Sequence, residues 1–278
     1  MGPRILWIDI AKLVAIIAVL VDHTYGILYT DQNIGWGSYY SVSLFVLVMG
    51  WGSYQSMKNN LRPILEMLKI KTYRIFGAYL FATFIYYIVQ YRFWDFSDFI
   101  NYVIHFNICG PFYYVILYIQ LVWVQPLVFK FLAPGKRKNE VLVEFVGLLV
   151  SMIVAYLTTK YTNIMSIYGG GGKLLGGSYL TLFYIGMWFG KHCNGDMKKS
   201  VNKLAVIFVG EALVLWMWIR IIVYNRFNFT SIVLWKINPP GIMLGIYAIL
   251  IMILLYYMEQ IIFQIKNIWI RKIYILVN

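Results

Sequence analysis

Apolar residues run through this chain in blocks of about twenty, separated by short polar stretches. A block of that length, wound as helix, crosses the roughly 30 Å hydrocarbon core of a bilayer. The pattern predicts helices over 5–29, 38–57, 72–91, 112–132, 141–159, 178–192, 201–224 and 240–263, with a ninth begun near 268 and cut short at Asn278. The expected fold class is all-α: a polytopic transmembrane helical bundle of about nine helices, one integral membrane domain over 1–278. No linker or internal repeat divides it. The first apolar run begins after Arg4, is too long for a removable signal peptide and has no small-residue cleavage site, so it is expected to stay as the first helix.

Composition narrows the class. Of 278 residues, 61% are hydrophobic and 13% charged, about half the charged share of a soluble domain, and mean hydropathy is +0.70. A soluble globule of this length cannot bury so much apolar surface, and disorder and coiled coil are excluded as well. The aromatic share of 19% suits a chain with two membrane interfaces to line.

The net charge of +13 raises nucleic acid as a partner, but its distribution argues for the lipid bilayer instead. With the N-terminus in the cytoplasm and helices alternating, 18 of the 24 Lys and Arg fall on the inner side, as the positive-inside rule expects for a multi-pass protein of the cell membrane. A phosphate-tracking groove would gather them on one surface. Cys109 and Cys193 fall in loops on opposite sides, so no disulfide is expected between them, and no CxxC or paired Cys/His spacing suggests a metal. The outer segment 160–178 holds Gly169-Gly170-Gly171-Gly172, but without the Gly-Lys-Ser/Thr ending of a phosphate-binding loop it reads as a flexible connection. The other outer segment, 92–111, carries Trp94, Asp95, Asp98 and His105 among many aromatics.

Ionisable residues within a membrane helix are costly and draw attention as functional candidates. The first helix has four: Asp9, Lys12, Asp22 and His23. Lys12 and His23 are eleven residues apart, which at ~100° per residue is about 20° past three full turns, with a rise of roughly 16 Å. They share a face, and Asp9 projects within about 40° of His23. Lys12 near a helix end also fits simple snorkelling to the headgroups, with Asp9 as its solvated partner. His23 fits either a structural hydrogen bond or a general base, since imidazole takes a proton from a hydroxyl near neutral pH.

The stretch Arg4-Ile-Leu-Trp-Ile-Asp9-Ile-Ala-Lys12 through Asp22-His23-Thr24 resembles the opening of the acyltransferase-3 family of integral membrane acyltransferases. That opening has an Asp, a basic residue three later and a His eleven beyond. Lys at the basic position, where most members have Arg, looks like the fucose 4-O-acetylase-like branch. Further matches follow in order. Ser43-Leu44-Phe45 to Gly50 is similar to a Pro-Leu-Phe-Phe-x-x-Ser-Gly stretch, with Met49 in place of Ser. Lys71-Thr-Tyr-Arg74 to Tyr79 resembles a basic segment leading into helix 3, with Ala78 where Pro is common. Gly110-Pro-Phe-Tyr113, Leu117 and Gln125-Pro126-Leu127 resemble a Leu-Trp-Phe-to-Pro helix, with Tyr113 at the Trp position. Leu182 to Gly190 resembles a Phe-x-x-Gly-Met-x-x-Gly segment. The family usually has about ten helices, the last opened by Ile-Tyr-Leu-x-His; here Ile273-Tyr274-Ile275-Leu276 stands at that point, and the final helix is expected to lack most of its length.

The resemblance implies an enzyme that moves an acyl group, with acetyl as the default, from cytoplasmic acetyl-CoA or another acyl-CoA to a hydroxyl of a cell-envelope glycan or lipid-linked sugar. That chemistry is O-acetylation, a polysaccharide modification, and needs no metal. In it His23 is the general base, Asp22 or Asp9 orients or tunes it, Lys12 stands on the donor route, and Lys71 and Arg74 receive the donor's phosphates at the inner mouth. Ordinary topology explains Lys71 and Arg74 equally well when each is taken alone. A non-enzymatic carrier of a glycan or small metabolite is the competing class. It would predict repeated halves with interrupted helices, and it gives no reason for the Lys12/His23 spacing.

Overall fold

The computed structural model describes residues 5–31, 35, 37–91, 94–133, 139–161, 174–193, 208–213, 241 and 244–259. Their regular structure is helical, so the all-α expectation holds; beside the helices there is one isolated bridge, Tyr25 to Tyr29.

Helix α1 runs Leu6–His23, six residues short of the predicted end. The apolar run continues past it, but Gly26 adopts φ +81°, a left-handed conformation that favours glycine and takes the chain out of the helix. The Thr24 N–H donates to Leu20 O at 3.1 Å, the Tyr29 hydroxyl donates to Val21 O at 2.6 Å, and the Gly26 N–H donates to Tyr29 O at 2.7 Å. Residues 24–29 thus form a closed turn immediately beyond His23.

Helix α2 is Ser41–Lys58 and α3 is Ile64–Gln90. The latter begins eight residues before the predicted start, at Pro63, whose fixed φ suits a helix entrance. Glu66, Lys69 and Lys71 end the hydrophobic run there, yet they are good helix formers and the helix passes through them. The loop expected over 92–111 contains a ten-residue helix, α4, Phe96–His105. The Asp95 carboxylate caps it by accepting from Ser97 N at 2.8 Å, and Phe106 ends it at φ 52°. Its apolar face packs Val103 and Phe106 with Tyr79 of α3, whose hydroxyl donates to Val103 O at 2.9 Å.

A 3-10 turn, Gly110–Phe112, leads into α5, Tyr113–Leu132; α6 is Glu140–Tyr161 and α7 is Tyr179–His192. These three match their predicted ranges to within two residues. Residues 208–213 and Leu244–Glu259 are also helical. The rest of the predicted helix 201–224, the ninth helix and the glycine run 169–172 lie outside the described residues. Among those described, Ile64–Gln90, Gly110–Leu132 and Glu140–Tyr161 are long and apolar enough to cross a membrane.

The chain divides into two compact units, 1–48 with 193–278, and 49–192. In the first, the Trp7 ring meets Tyr256 edge-on at 5.8 Å and Tyr40 meets Tyr247 at 5.3 Å, beside a cluster of Leu213, Leu244 and Tyr247. In the second, α2 and α7 approach at backbone distance. A Cβ built on Gly50 would collide with the Phe183 carbonyl oxygen, and one on Gly190 would stand 2.9 Å from Trp51 O. The Gln55 amide then donates to Gly190 O at 2.7 Å across the same seam. Small residues allow such approach where apolar lipid gives no drive for helices to associate.

Candidate functional site

Helix α1 carries no interruption from Leu6 to His23, so the eleven-residue spacing of Lys12 and His23 becomes a shared face. Both side chains are exposed, while Asp9 and Asp22 are half-buried. His23 is the last helical residue. Along that helix Asp9 lies one turn from Lys12 and fourteen residues, a rise of about 21 Å, from His23. Asp22 is the carboxylate next to the imidazole in the chain.

The other two histidines are engaged. His105 Nδ1 lies 2.8 Å from Asn101 O within α4, and His192 Nε2 lies 3.0 Å from a Glu144 carboxylate oxygen. Burial pushes the Cys193 thiol up to about 11.

The second unit holds Lys71 and Arg74 on α3, one turn apart. Lys71 does not extend to the helix end as a topological lysine would. Its ammonium donates at 3.1 Å to Oε1 of Gln125, a fully buried residue of α5. Arg74 is exposed. On the same α3 turn, the Trp123 indole N–H donates to the Thr72 hydroxyl at 3.2 Å.

A further polar group joins α6 to α7. Glu144 is buried, yet its carboxylate accepts from Lys191 at 2.5 Å, from the Trp188 indole at 2.8 Å and from His192. Lys191 also pairs with Glu140, and the Tyr184 hydroxyl donates to the Glu144 backbone oxygen at 2.7 Å. With one acid on each of two successive turns, Lys191 is held between two carboxylates. Sequence reasoning passed over this group and quoted Gln125 only within a resembling stretch, with no role. For the first a signal existed: only 11 acidic residues occur in the chain, and two of them open one apolar helix at i and i+4.

A family model described as an acyltransferase domain, acyltransferase-3, matches residues 5–273. The chain belongs to the acyltransferase-3 family. The match covers both compact units and nearly the whole sequence. The protein is therefore a membrane acyltransferase, and the competing carrier class falls away. No curated protein and no solved structure matches the chain. Within this acyltransferase, α1 supplies a cation, a carboxylate and an exposed imidazole on one helix, and the face between α3 and α5 supplies two more cations and a buried amide.

Proposed function

We propose that this acyltransferase carries an acetyl group from cytoplasmic acetyl-CoA to a hydroxyl of a cell-envelope glycan or lipid-linked sugar, in the manner of the fucose 4-O-acetylase-like branch. The observation that carries this reading is the unbroken α1, which sets Lys12 and His23 on one face roughly 16 Å apart. A ligand touching both lies extended along the helix, with its anionic end toward Lys12 and its thioester toward His23. The acceptor hydroxyl oxygen attacks the thioester carbonyl carbon as the His23 imidazole takes the hydroxyl proton. The tetrahedral intermediate expels the thiolate of CoA, which recovers that proton from the imidazolium. Asp22, next in the chain, steadies the charged imidazolium. Lys71 and Arg74 of α3 are cations of the kind the donor's phosphates need.

Two measurements test the donor route. Lys12→Ala is expected to raise the KM for acetyl-CoA by roughly ten-fold, the worth of one charge-assisted contact. Lys12→Arg should keep much of the activity, with some loss from its different fork geometry. An Arg variant as impaired as the Ala variant would show that more than a cation is needed there. Orientation is tested with single cysteines and an impermeant thiol reagent on intact cells. Positions in 58–63 and 134–138 are expected to resist labelling and positions in 95–105 to react. The reverse pattern would put the acyl-CoA route on the wrong side.

A further inference from the structure

We propose that Gln125 is a binding residue for the donor, its Nε2 donating to a carbonyl oxygen of the pantetheine arm of acyl-CoA; the inference rests on the acyl-CoA reading above. Gln125 is fully buried in α5 and its Oε1 accepts from Lys71 Nζ at 3.1 Å. An ammonium is a donor only, so the amide cannot turn its NH2 toward Lys71 without setting donor against donor. Lys71 therefore fixes which end of the amide is which. The other end, Nε2, is buried and has no hydrogen-bond partner among the described residues. Native structures rarely leave such a donor unsatisfied.

The surroundings say what would satisfy it. Lys71 is seven residues from the start of α3 and Gln125 seven from the end of α5, so both sit about 10 Å in from the same end of their helices. Tyr118 is seven residues before Gln125, which places it within about 20° of Gln125 around α5, and it packs against Met67 and Leu68 of α3. Arg74 lies one turn further along α3 than Lys71. The face between α3 and α5 thus sets the Gln125 amide level with Lys71, with Arg74 about one turn farther along α3 and Tyr118 two turns farther along α5. A ligand suited to it has an anionic end and a long neutral arm interrupted by carbonyl groups, and acyl-CoA has that form. The neutral Nε2 suits an amide carbonyl; the phosphates belong to the cations.

The test uses full-length protein in detergent and equilibrium binding of labelled acetyl-CoA. Gln125→Glu preserves the shape and the acceptor facing Lys71 but removes the Nε2 donor. A purely structural Gln125 would tolerate this change, since the Lys71 contact becomes an ion pair. The proposal expects an unchanged or higher melting temperature with binding weakened roughly ten-fold, the worth of one buried neutral hydrogen bond. S-acetylpantetheine, which lacks the nucleotide, should displace label from the wild type at about ten-fold lower concentration than from the variant. A second arm uses the wild type alone, with a donor analogue whose pantetheine amide carbonyls are replaced by methylene; it should bind roughly ten-fold more weakly. Wild-type affinity in a folded Gln125→Glu protein, or full affinity for the methylene analogue, overturns the Gln125 contact and leaves the donor reading standing. Absence of acetyl-CoA binding by the wild type overturns both.

Discussion

His23→Ala is expected to lower acyl transfer by roughly 10²–10⁴-fold, the range a positioned general base contributes, while membrane insertion and acetyl-CoA binding persist. The side chain is exposed at the end of α1, so its removal opens no cavity in a packed core. His23→Gln is expected not to rescue, because an amide hydrogen-bonds but takes up no proton at neutral pH. His105→Ala and His192→Ala serve as controls, since each ring already has a partner, Asn101 O and Glu144 respectively. Single-turnover transfer from labelled acetyl-CoA to an envelope-extract acceptor distinguishes the three. Transfer at the wild-type rate by His23→Ala would end the general-base assignment.

Glu144→Ala should act on the fold. The carboxylate is 8% exposed and its partner Lys191 10%, so solvent screens the pair little. Removing one member of a buried ion pair costs about 3–5 kcal/mol, because the other charge stays behind. Here Glu140 still faces Lys191, which softens the loss, while Trp188 and His192 lose their acceptor. His192 is 42% exposed and contributes little to the cost. A loss near the lower end, about 3 kcal/mol, is therefore expected, read as a clear drop in melting temperature in detergent. Glu144→Gln should fall between the Ala variant and the wild type, since its oxygen can still accept from Trp188. A Glu144→Ala protein that melts with the wild type would show that the cluster does not hold α6 to α7.

The membrane helices were legible because length and hydropathy alone decide whether a segment crosses a bilayer, and α5, α6 and α7 follow their apolar runs closely. Helix ends were not, where local geometry overrides hydropathy. Gly26 stops α1 inside an apolar run, and Pro63 starts α3 among charges that a hydropathy scan discards. Helix α4 was missed because ten residues half-covered by polar groups give no membrane signal; its cap, Asp95, and its buried Val103 and Phe106 were readable only as an amphipathic period. Among the candidate site residues, the spacing within α1 could be read because one helix contains it. The Lys71–Gln125 contact joins residues 54 apart, and Glu144 meets Lys191 47 residues away. One-dimensional spacing does not reveal partners of that kind, and single polar residues inside apolar runs look alike until a partner is found.

The close seams have a consequence for how such a sequence can drift. On a lipid-facing surface, leucine, isoleucine, valine and phenylalanine are nearly interchangeable, since the bilayer asks only for apolarity. At Gly50 the obstructing atom is a backbone carbonyl oxygen, at Gly190 again a carbonyl, and at Gly147 the Tyr184 hydroxyl and the Phe131 Cβ. Backbone atoms cannot swing aside as the tip of a flexible side chain can. Even alanine is therefore one carbon too many at Gly50 and Gly190, although it is as apolar as the neighbours. Apolar exchange on the lipid-facing surface therefore asks little of the fold, whereas at Gly50 and Gly190 the seam has room for hydrogen and nothing larger.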